Sequence, residues 1–228
     1  VGRAIALELS RYDYDILVHY RRSASEAEEV ARLLRENRVE AETFGADLSD
    51  ASAVSAMFGF LRDRFGRLDV LVNSAAVFRR TPIDQMDAEA FDFHVSTNLR
   101  GPYLCSIEAE RLMRRTGGGS IVNITDVAAQ RPFRSHVPYC VSKAGLEMLT
   151  RGLAKAFAPL VRVNAVGPGT VLFRPDESEE DRQRVIARIP MGRIGTPEDI
   201  ASTVSFLCTE AHHITGQVIL VDGGRSLD

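Results

Sequence analysis

Residues 120–125 read SIVNIT and residues 161–166 read VRVNAV, two short, β-branched and almost continuously apolar runs. Between them Leu146, Leu149, Leu153 and Phe157 recur at the spacing of one helix face. A strand covered on both faces, a helix and a second such strand make a βαβ unit with a right-handed crossover. The same alternation continues outward in both directions. Apolar runs stand at 15–20 (DILVHY), 68–73 (LDVLVN) and 217–222 (QVILVD), with a weaker one at 41–46 (AETFGA). Val54, Met57, Phe58, Leu61 and Phe65 form another helical stripe. Ile200, Val204 and Leu207 form a third, after Thr196-Pro197-Glu198, where Thr suits an N-cap and Pro the first helical position. The pattern predicts an α/β fold: a doubly wound parallel sheet with helices on both faces, three layers, and a single domain over 1–228.

Composition narrows the function classes. In 228 residues, 28 Lys plus Arg stand against 31 Asp plus Glu, a net charge of −3, which offers no excess for a polyphosphate backbone and argues against nucleic-acid binding. The apolar runs are far shorter than a membrane span. Cys105, Cys140 and Cys208 are an odd count at wide spacing, the pattern of a reducing cytoplasm rather than a disulfide framework. Val1-Gly2-Arg3-Ala4-Ile5-Ala6-Leu7 reads as a helix already under way. A doubly wound sheet places its central strand and a glycine turn before that helix, so the sequence reads as a fragment lacking on the order of 10–20 residues.

Tyr139-Cys140-Val141-Ser142-Lys143 is the local pattern that carries chemistry. On a helix, i and i+4 share a face, so Tyr139 and Lys143 can address one point. A phenol titrates near pH 10, too high for proton exchange at neutrality, and a neighbouring ammonium lowers that value. A solvated Lys beside a half-buried Tyr is the other reading of the pattern in isolation.

Together with six further stretches, this one resembles the short-chain dehydrogenase/reductase family, whose hallmark is Tyr-x-x-x-Lys. Gly2-Arg3-Ala4-Ile5-Ala6 is similar to the end of the family's glycine-rich cofactor motif, and Ala46-Asp47-Leu48 to the Asp-Leu that holds the adenine. Asn73-Ser74-Ala75-Ala76 stands in place of Asn-Asn-Ala-Gly. Asn98, within Thr97-Asn98-Leu99-Arg100-Gly101, matches the family's catalytic Asn. Gly167-Pro168-Gly169 and Val221-Asp222-Gly223-Gly224 follow the last two strands. All seven occur in the family's order across the whole chain.

One position departs. The family places a catalytic Ser thirteen residues before the Tyr, and Asp126 stands there, in Ile124-Thr125-Asp126-Val127. Within the family, Asp at this position is characteristic of the pteridine reductases and bacterial dihydropterin reductases. His19-Tyr20-Arg21-Arg22-Ser23 resembles their His-Tyr-x-Arg-Ser, and Phe78 lies where they stack an aromatic ring on the pterin.

The resemblance implies a catalytic set of Tyr139 as proton donor, Lys143 lowering its pKa and holding the nicotinamide ribose, Asn98 anchoring a water that relays protons to Lys143, and Asp126 orienting Tyr139 or donating to the ring. A carboxyl near an apolar cofactor face should titrate high. Phe78, Asp126 and Tyr139 form the implied substrate site. The implied cofactor site is Gly2, Tyr20, Arg21, Arg22, Ser23, Asp47, Leu48, Asn73, Ser74, Ala75, Tyr139, Lys143, Pro168, Gly169 and Val171. In a Rossmann-type protein an acid ending the second strand selects NAD. Here Tyr20 is followed by Arg21, Arg22 and Ser23, which suit a 2′-phosphate, so the expected cofactor is NADPH.

The expected reaction is hydride transfer to a C=N bond of a pteridine. A carbonyl reductase of 3-oxoacyl or sugar-alcohol type, or a non-catalytic NADPH-binding regulator, are the alternatives. The expected partners are a small-molecule substrate and further copies of the chain, as dimer or tetramer through helices near 89–115 and 137–159 and the C-terminal strand. His212 and His213 diverge on a helix and form no metal site. His136 is expected to cap the helix of Tyr139, Cys140 to fill space, and the acidic run 176–181 (DESEED) to form a solvated lid.

Overall fold

A computed structural model describes residues 1–173 and 176–227. All six predicted strands form: β1 (Ile16–Tyr20), β2 (Ala41–Gly45), β3 (Val70–Asn73), β4 (Gly119–Ile124), β5 (Val161–Pro168) and β6 (Val218–Val221). Every strand pairing is parallel, as βαβ crossovers require. The helices are α1 (Gly2–Leu9), α2 (Ala24–Glu36), α3 (Ala51–Phe65), α4 (Ala88–Val95), α5 (Gly101–Arg115), α6 (Val137–Phe157), α7 (Glu179–Ile186) and α8 (Pro197–Thr209).

The sequence explains where these helices start and stop. Asp50 accepts the Ser52 N–H at the start of α3, and Gly66, at φ 74°, ends it with its N–H on the Arg62 carbonyl. Thr196 and Asp199 form a reciprocal capping box on α8, with Pro197 in its first turn. The helix expected near 89–115 is interrupted. A single π-helical turn, Ser96–Arg100, joins α4 to α5. Such turns insert one residue into the helical ladder and frequently mark functional sites.

The sheet differs from one continuous doubly wound sheet. It is hydrogen-bonded as two pieces, β1–β2 and β3–β4–β5–β6, because no described strand lies between β1 and β3. Side chains bridge the pieces: Ile16 of β1 and Val70 and Val72 of β3 pack against one cluster built on Ile5 and Leu9 of α1 and Ile200, Val204 and Leu207 of α8. On the opposite face Val54, Met57 and Phe58 of α3, Ala109 and Met113 of α5 and Leu153 and Phe157 of α6 cover Ile121 and Val163. Val30, Ala31 and Leu34 of α2 close the β1–β2 end. Helices on both faces leave the strands' C-terminal ends as the open rim, which is where doubly wound sheets bind ligands.

The acidic run does not form a lid loop throughout. Ser178 caps α7, with Glu179, Glu180 and Asp181 in its first turn, where negative charge is favoured by the helix dipole, and Arg184 pairs with Glu180 and Asp181.

Candidate active site

At the C-terminal end of β4 the chain turns sharply. Asp126 caps a single 3-10 turn, its Oδ1 accepting the Ala128 N–H at 2.7 Å. The other carboxylate oxygen, Oδ2, accepts the Tyr139 hydroxyl at 2.7 Å. Tyr139 stands in the first turn of α6, and Lys143, one turn on, donates from Nζ to the Ile124 carbonyl at 2.8 Å. The Lys143 ammonium lies 5.8 Å from the Tyr139 ring centroid. The i, i+4 spacing thus brings both side chains beside Asp126.

The electrostatics differ from the simple Tyr–Lys expectation. Burial raises the Tyr139 pKa, and the Asp126 carboxylate raises it further, so the phenol is held protonated. Burial also raises Asp126, against the Ala128 N–H, the Tyr139 bond and the charges of Lys143 and Arg225. Lys143 is enclosed and falls to about 8, burial outweighing the opposing pull of Asp126. Burial and Asp126 outweigh the ammonium at the phenol.

Asn98 is fully buried in the π-helical turn. Its direct hydrogen bonds go to partners other than Lys143. Its Oδ1 accepts the Val77 N–H at 2.8 Å, and its Nδ2 donates to the Val77 carbonyl at 2.9 Å and to Ser142 Oγ at 3.1 Å. Ser142 in turn donates to the Tyr139 carbonyl at 2.7 Å. The Asn98 side chain therefore ties the loop after β3 to the helix of Tyr139. Ser142 was not singled out in the sequence, because only its contact with Asn98 reveals it.

That loop carries Phe78, whose ring is half exposed and meets Tyr139 edge-on at 4.7 Å. His136 is the N-cap residue of α6, its carbonyl accepting the Cys140 N–H at 2.9 Å. Its side chain makes no capping bond, and its ring stacks on Phe78 at 4.4 Å and 4°. His94, unremarked in the sequence, is fully buried 6.2 Å from the Tyr139 ring. Its Nε2 accepts the Arg79 N–H, so Nδ1 donates to the Ala90 carbonyl. Cys140 is buried, its Sγ accepting the Phe133 N–H.

A cavity of about 340 Å³ opens at the ends of β1 and β2, lined by Tyr20, Arg21, Ser23, Asp47, Leu48 and Ala75 among others. The Tyr20 ring lies over Gly45, where an added Cβ would come within 2.9 Å of it. Ser23 occupies the N-cap of α2 without making a capping bond, leaving its hydroxyl uncommitted. Asp47 accepts from the Ser49 N–H and hydroxyl, which hold its carboxyl below the usual range, and lies 4.0 Å from Arg21. Arg22 is exposed, makes no ion pair within 4.0 Å among the described residues, and adds its charge to that of Arg21 on Asp47. Gly2 at the head of α1 sits against Ser74, an added Cβ lying 3.4 Å from its Oγ. This cleft, with the Tyr20 and Ser23 hydroxyls and Arg21 at the start of α2, fits the adenosine end of a nicotinamide dinucleotide.

Three further candidates have packing duties visible in the geometry. The Asn73 amide is buried and donates to Asn123 and Ser106. Gly169 follows Pro168 where a Cβ would fall 2.8 Å from the Asp222 backbone. Val171 packs with the α1–α8 cluster. Among the described residues no group of His, Cys, Asp and Glu is arranged to hold a metal ion, and no helix is long and apolar enough to cross a membrane.

A parallel sheet with a cleft of about 340 Å³ at its strand ends and a buried Tyr–Lys–carboxyl group has the parts of an oxidoreductase. Residues 1–226 match the family model described as enoyl-(acyl carrier protein) reductase. The chain is 35% identical to a 3-oxoacyl-(acyl-carrier-protein) reductase, FabG, of Staphylococcus aureus, over 98% of this chain and 93% of that one. It is 31% identical to glucose 1-dehydrogenase 2 of Bacillus subtilis, over 100% and 91%. The crystal structure of acetoin dehydrogenase from Enterobacter cloacae superposes with a TM-score of 0.91 at 34% identity, covering 99% of this chain and 91% of that one. The chain belongs to the short-chain dehydrogenase/reductase family and is an oxidoreductase of that family.

Proposed function

We propose that this protein reduces a carbonyl group with NADPH, Tyr139 delivering the proton. The observation that carries the reading is the buried Tyr139–Asp126 hydrogen bond backed by Lys143. The 3-oxoacyl reductase, glucose dehydrogenase and acetoin dehydrogenase relatives support a carbonyl acceptor better than a pteridine. NADPH supplies the hydride. The uncommitted Ser23 hydroxyl, with Arg21 and Arg22 after a strand end that carries no acid, supports the phosphorylated dinucleotide over NAD. Tyr139, kept protonated by burial and by Asp126, gives its proton to the acceptor atom. In its acid form Asp126 donates to the Tyr139 oxygen, which frees the phenol proton to face the substrate.

A C=N bond of a pteridine is the second reading, and Asp126 is the observation that favours it. A carboxylate beside the reacting atom opposes a growing alkoxide but favours a protonated ring nitrogen. The half-exposed Phe78 ring beside Tyr139 offers an apolar face to a flat heterocycle. Three buried free cysteines support a reducing compartment such as the cytoplasm. Exposed Val137, Val141 and Met148 on α6, with Tyr103 on α5, support self-association of this single domain.

The test is steady-state NADPH oxidation with a ketone and 3-oxoacyl panel beside dihydrobiopterin and dihydrofolate. Turnover of ketones supports the carbonyl reading, and turnover of pterins alone replaces it by the second. NADPH binding without turnover of either overturns both in favour of a regulator.

A further inference from the structure

Arginine is the commonplace cation of this chain, 26 of 28 basic residues, so its presence at any one position carries little information. Its pairing carries more. Most of its surface arginines sit on a carboxylate, as Arg11 does on Glu8, Arg64 on Glu40 and Glu42, and Arg114 on Glu110. Five arginines on the segments that carry Phe78, Phe133 and the residues after β6 make no ion pair within 4.0 Å among the described residues: Arg79, Arg80, Arg131, Arg134 and Arg225, of which Arg225 also acts through its charge on Asp126.

They come from three separate segments that meet at the site. Arg79 and Arg80 directly follow Phe78. Arg131 and Arg134 flank Phe133, in the loop between Asp126 and His136. A backbone hydrogen bond of 2.7 Å from the Thr81 N–H to the Ser135 carbonyl joins these two loops. Arg225 arrives from beyond β6. Its guanidinium lies 5.7 Å from the Phe133 ring centroid and donates to the Thr170 hydroxyl. Arg131 ties the same C-terminal segment to its own loop through the Ser226 carbonyl at 3.0 Å. The nearest acid in that segment, Asp222, is spent on the Gly224 and Ser226 N–H groups. Arg79 rests on the Phe93 ring at 4.2 Å. The cationic rim thus adjoins an apolar centre of Phe78, Phe133 and His136, with guanidinium donors in excess of the one carboxylate, Asp126, that responds to them among the described residues.

We infer that this rim is an anion subsite, and that the substrate carries a carboxylate or phosphate remote from the bond that is reduced. The inference rests on the reductase reading and narrows it to anionic substrates. Guanidinium groups bind both anions through paired N–H donors, and a ring or chain between the anion and the reacting atom would lie across the Phe78 side of the site.

The experiment compares matched acceptors in the NADPH-loaded protein. 4-Acetylbenzoate and 4-acetylphenyl phosphate are set against methyl 4-acetylbenzoate, and dihydrofolate against uncharged dihydrobiopterin. Steady-state turnover is measured together with calorimetric binding. The expected result is about tenfold higher kcat/KM, or tenfold tighter binding, for at least one anionic member over its neutral counterpart. That ratio should fall toward one in Arg225→Gln and in the Arg131→Gln, Arg134→Gln pair, and it should shrink with added salt. Equal values for charged and neutral members, or a ratio that the variants leave in place, would overturn the subsite. Arg-dependent binding of the anions without turnover would keep the subsite and overturn the reductase reading, so the two failures are separable.

Discussion

Burial of Tyr139 against Asp126 puts two acids in competition for one proton, and their shared environment keeps that proton on the site. Tyr139→Phe removes the hydroxyl while preserving the ring's packing on Phe78. It should lower kcat by about 10²–10⁴-fold with NADPH binding retained. An undiminished kcat in stopped-flow NADPH oxidation would remove Tyr139 from the reaction. Lys143 makes a separate prediction through stability. Its folded pKa of about 8 lies below the ordinary 10.5. Between those values the unfolded chain binds more protons than the folded one, so stability rises with pH across that window. Below pH 8 the full penalty of burying the ammonium is present. Urea unfolding of the chain without cofactor, compared with Lys143→Met, should therefore shift by about 3 kcal/mol in the native sequence's favour between pH 7.5 and pH 10.5. A pH-independent difference would mean that Lys143 titrates normally. Tyr139, Lys143 and Asp126 were legible in the sequence because helical spacing and a family resemblance converge on them. The direction of the phenol's shift was not, since it depends on burial and on which oxygen of Asp126 the hydroxyl meets.

At the level of elements, the π-helical turn between α4 and α5 changes what Asn98 does. Sequence spacing marked the residue but could not show that its amide is committed to Val77 and Ser142. Asn98→Ala leaves the Val77 N–H and carbonyl without their partners. It should cost about 1–3 kcal/mol of stability. It should also lower kcat, because the Phe78 loop loses its tie to α6. A variant with unchanged Tm and altered kcat alone would instead favour a direct part for Asn98 in proton transfer. Strand and helix identities were readable from apolar period, down to the Thr196 N-cap and Pro197 at the start of α8, though not the reciprocal bond to Asp199. The N-cap place of His136 was legible as a backbone position, whereas its ring stacks on Phe78, on a loop 58 residues earlier in sequence, which no local pattern shows. The first turn of α7 was hidden by its charge density, which reads as a solvated loop until Ser178 is recognised as its cap.

Over the whole molecule, two parallel sheet pieces are joined by side chains and covered on both faces, and the strand ends assemble both the cavity beside β1 and β2 and the Tyr139–Asp126–Lys143 group. Long-range placement of this kind was legible as a fold class because crossover rules leave few arrangements. The arginine rim was not legible, since its members are scattered over positions 79–225 among many other arginines. Met148, 64% exposed on α6, should mark a self-association face. Met148→Arg should reduce the sedimenting mass relative to the native sequence, whereas a native protein that sediments as a monomer would contradict that face.

Asp126 decides between an acid that works with Tyr139 and a residue that merely shapes a turn. The most direct measurement is therefore kcat and the NADPH dissociation constant of Asp126→Ala beside the native protein, on whichever acceptor the panel identifies. A fall in kcat of about a hundredfold, with NADPH affinity held within about threefold, is the predicted result. Loss of NADPH binding in parallel with turnover would contradict it and leave Asp126 a structural residue.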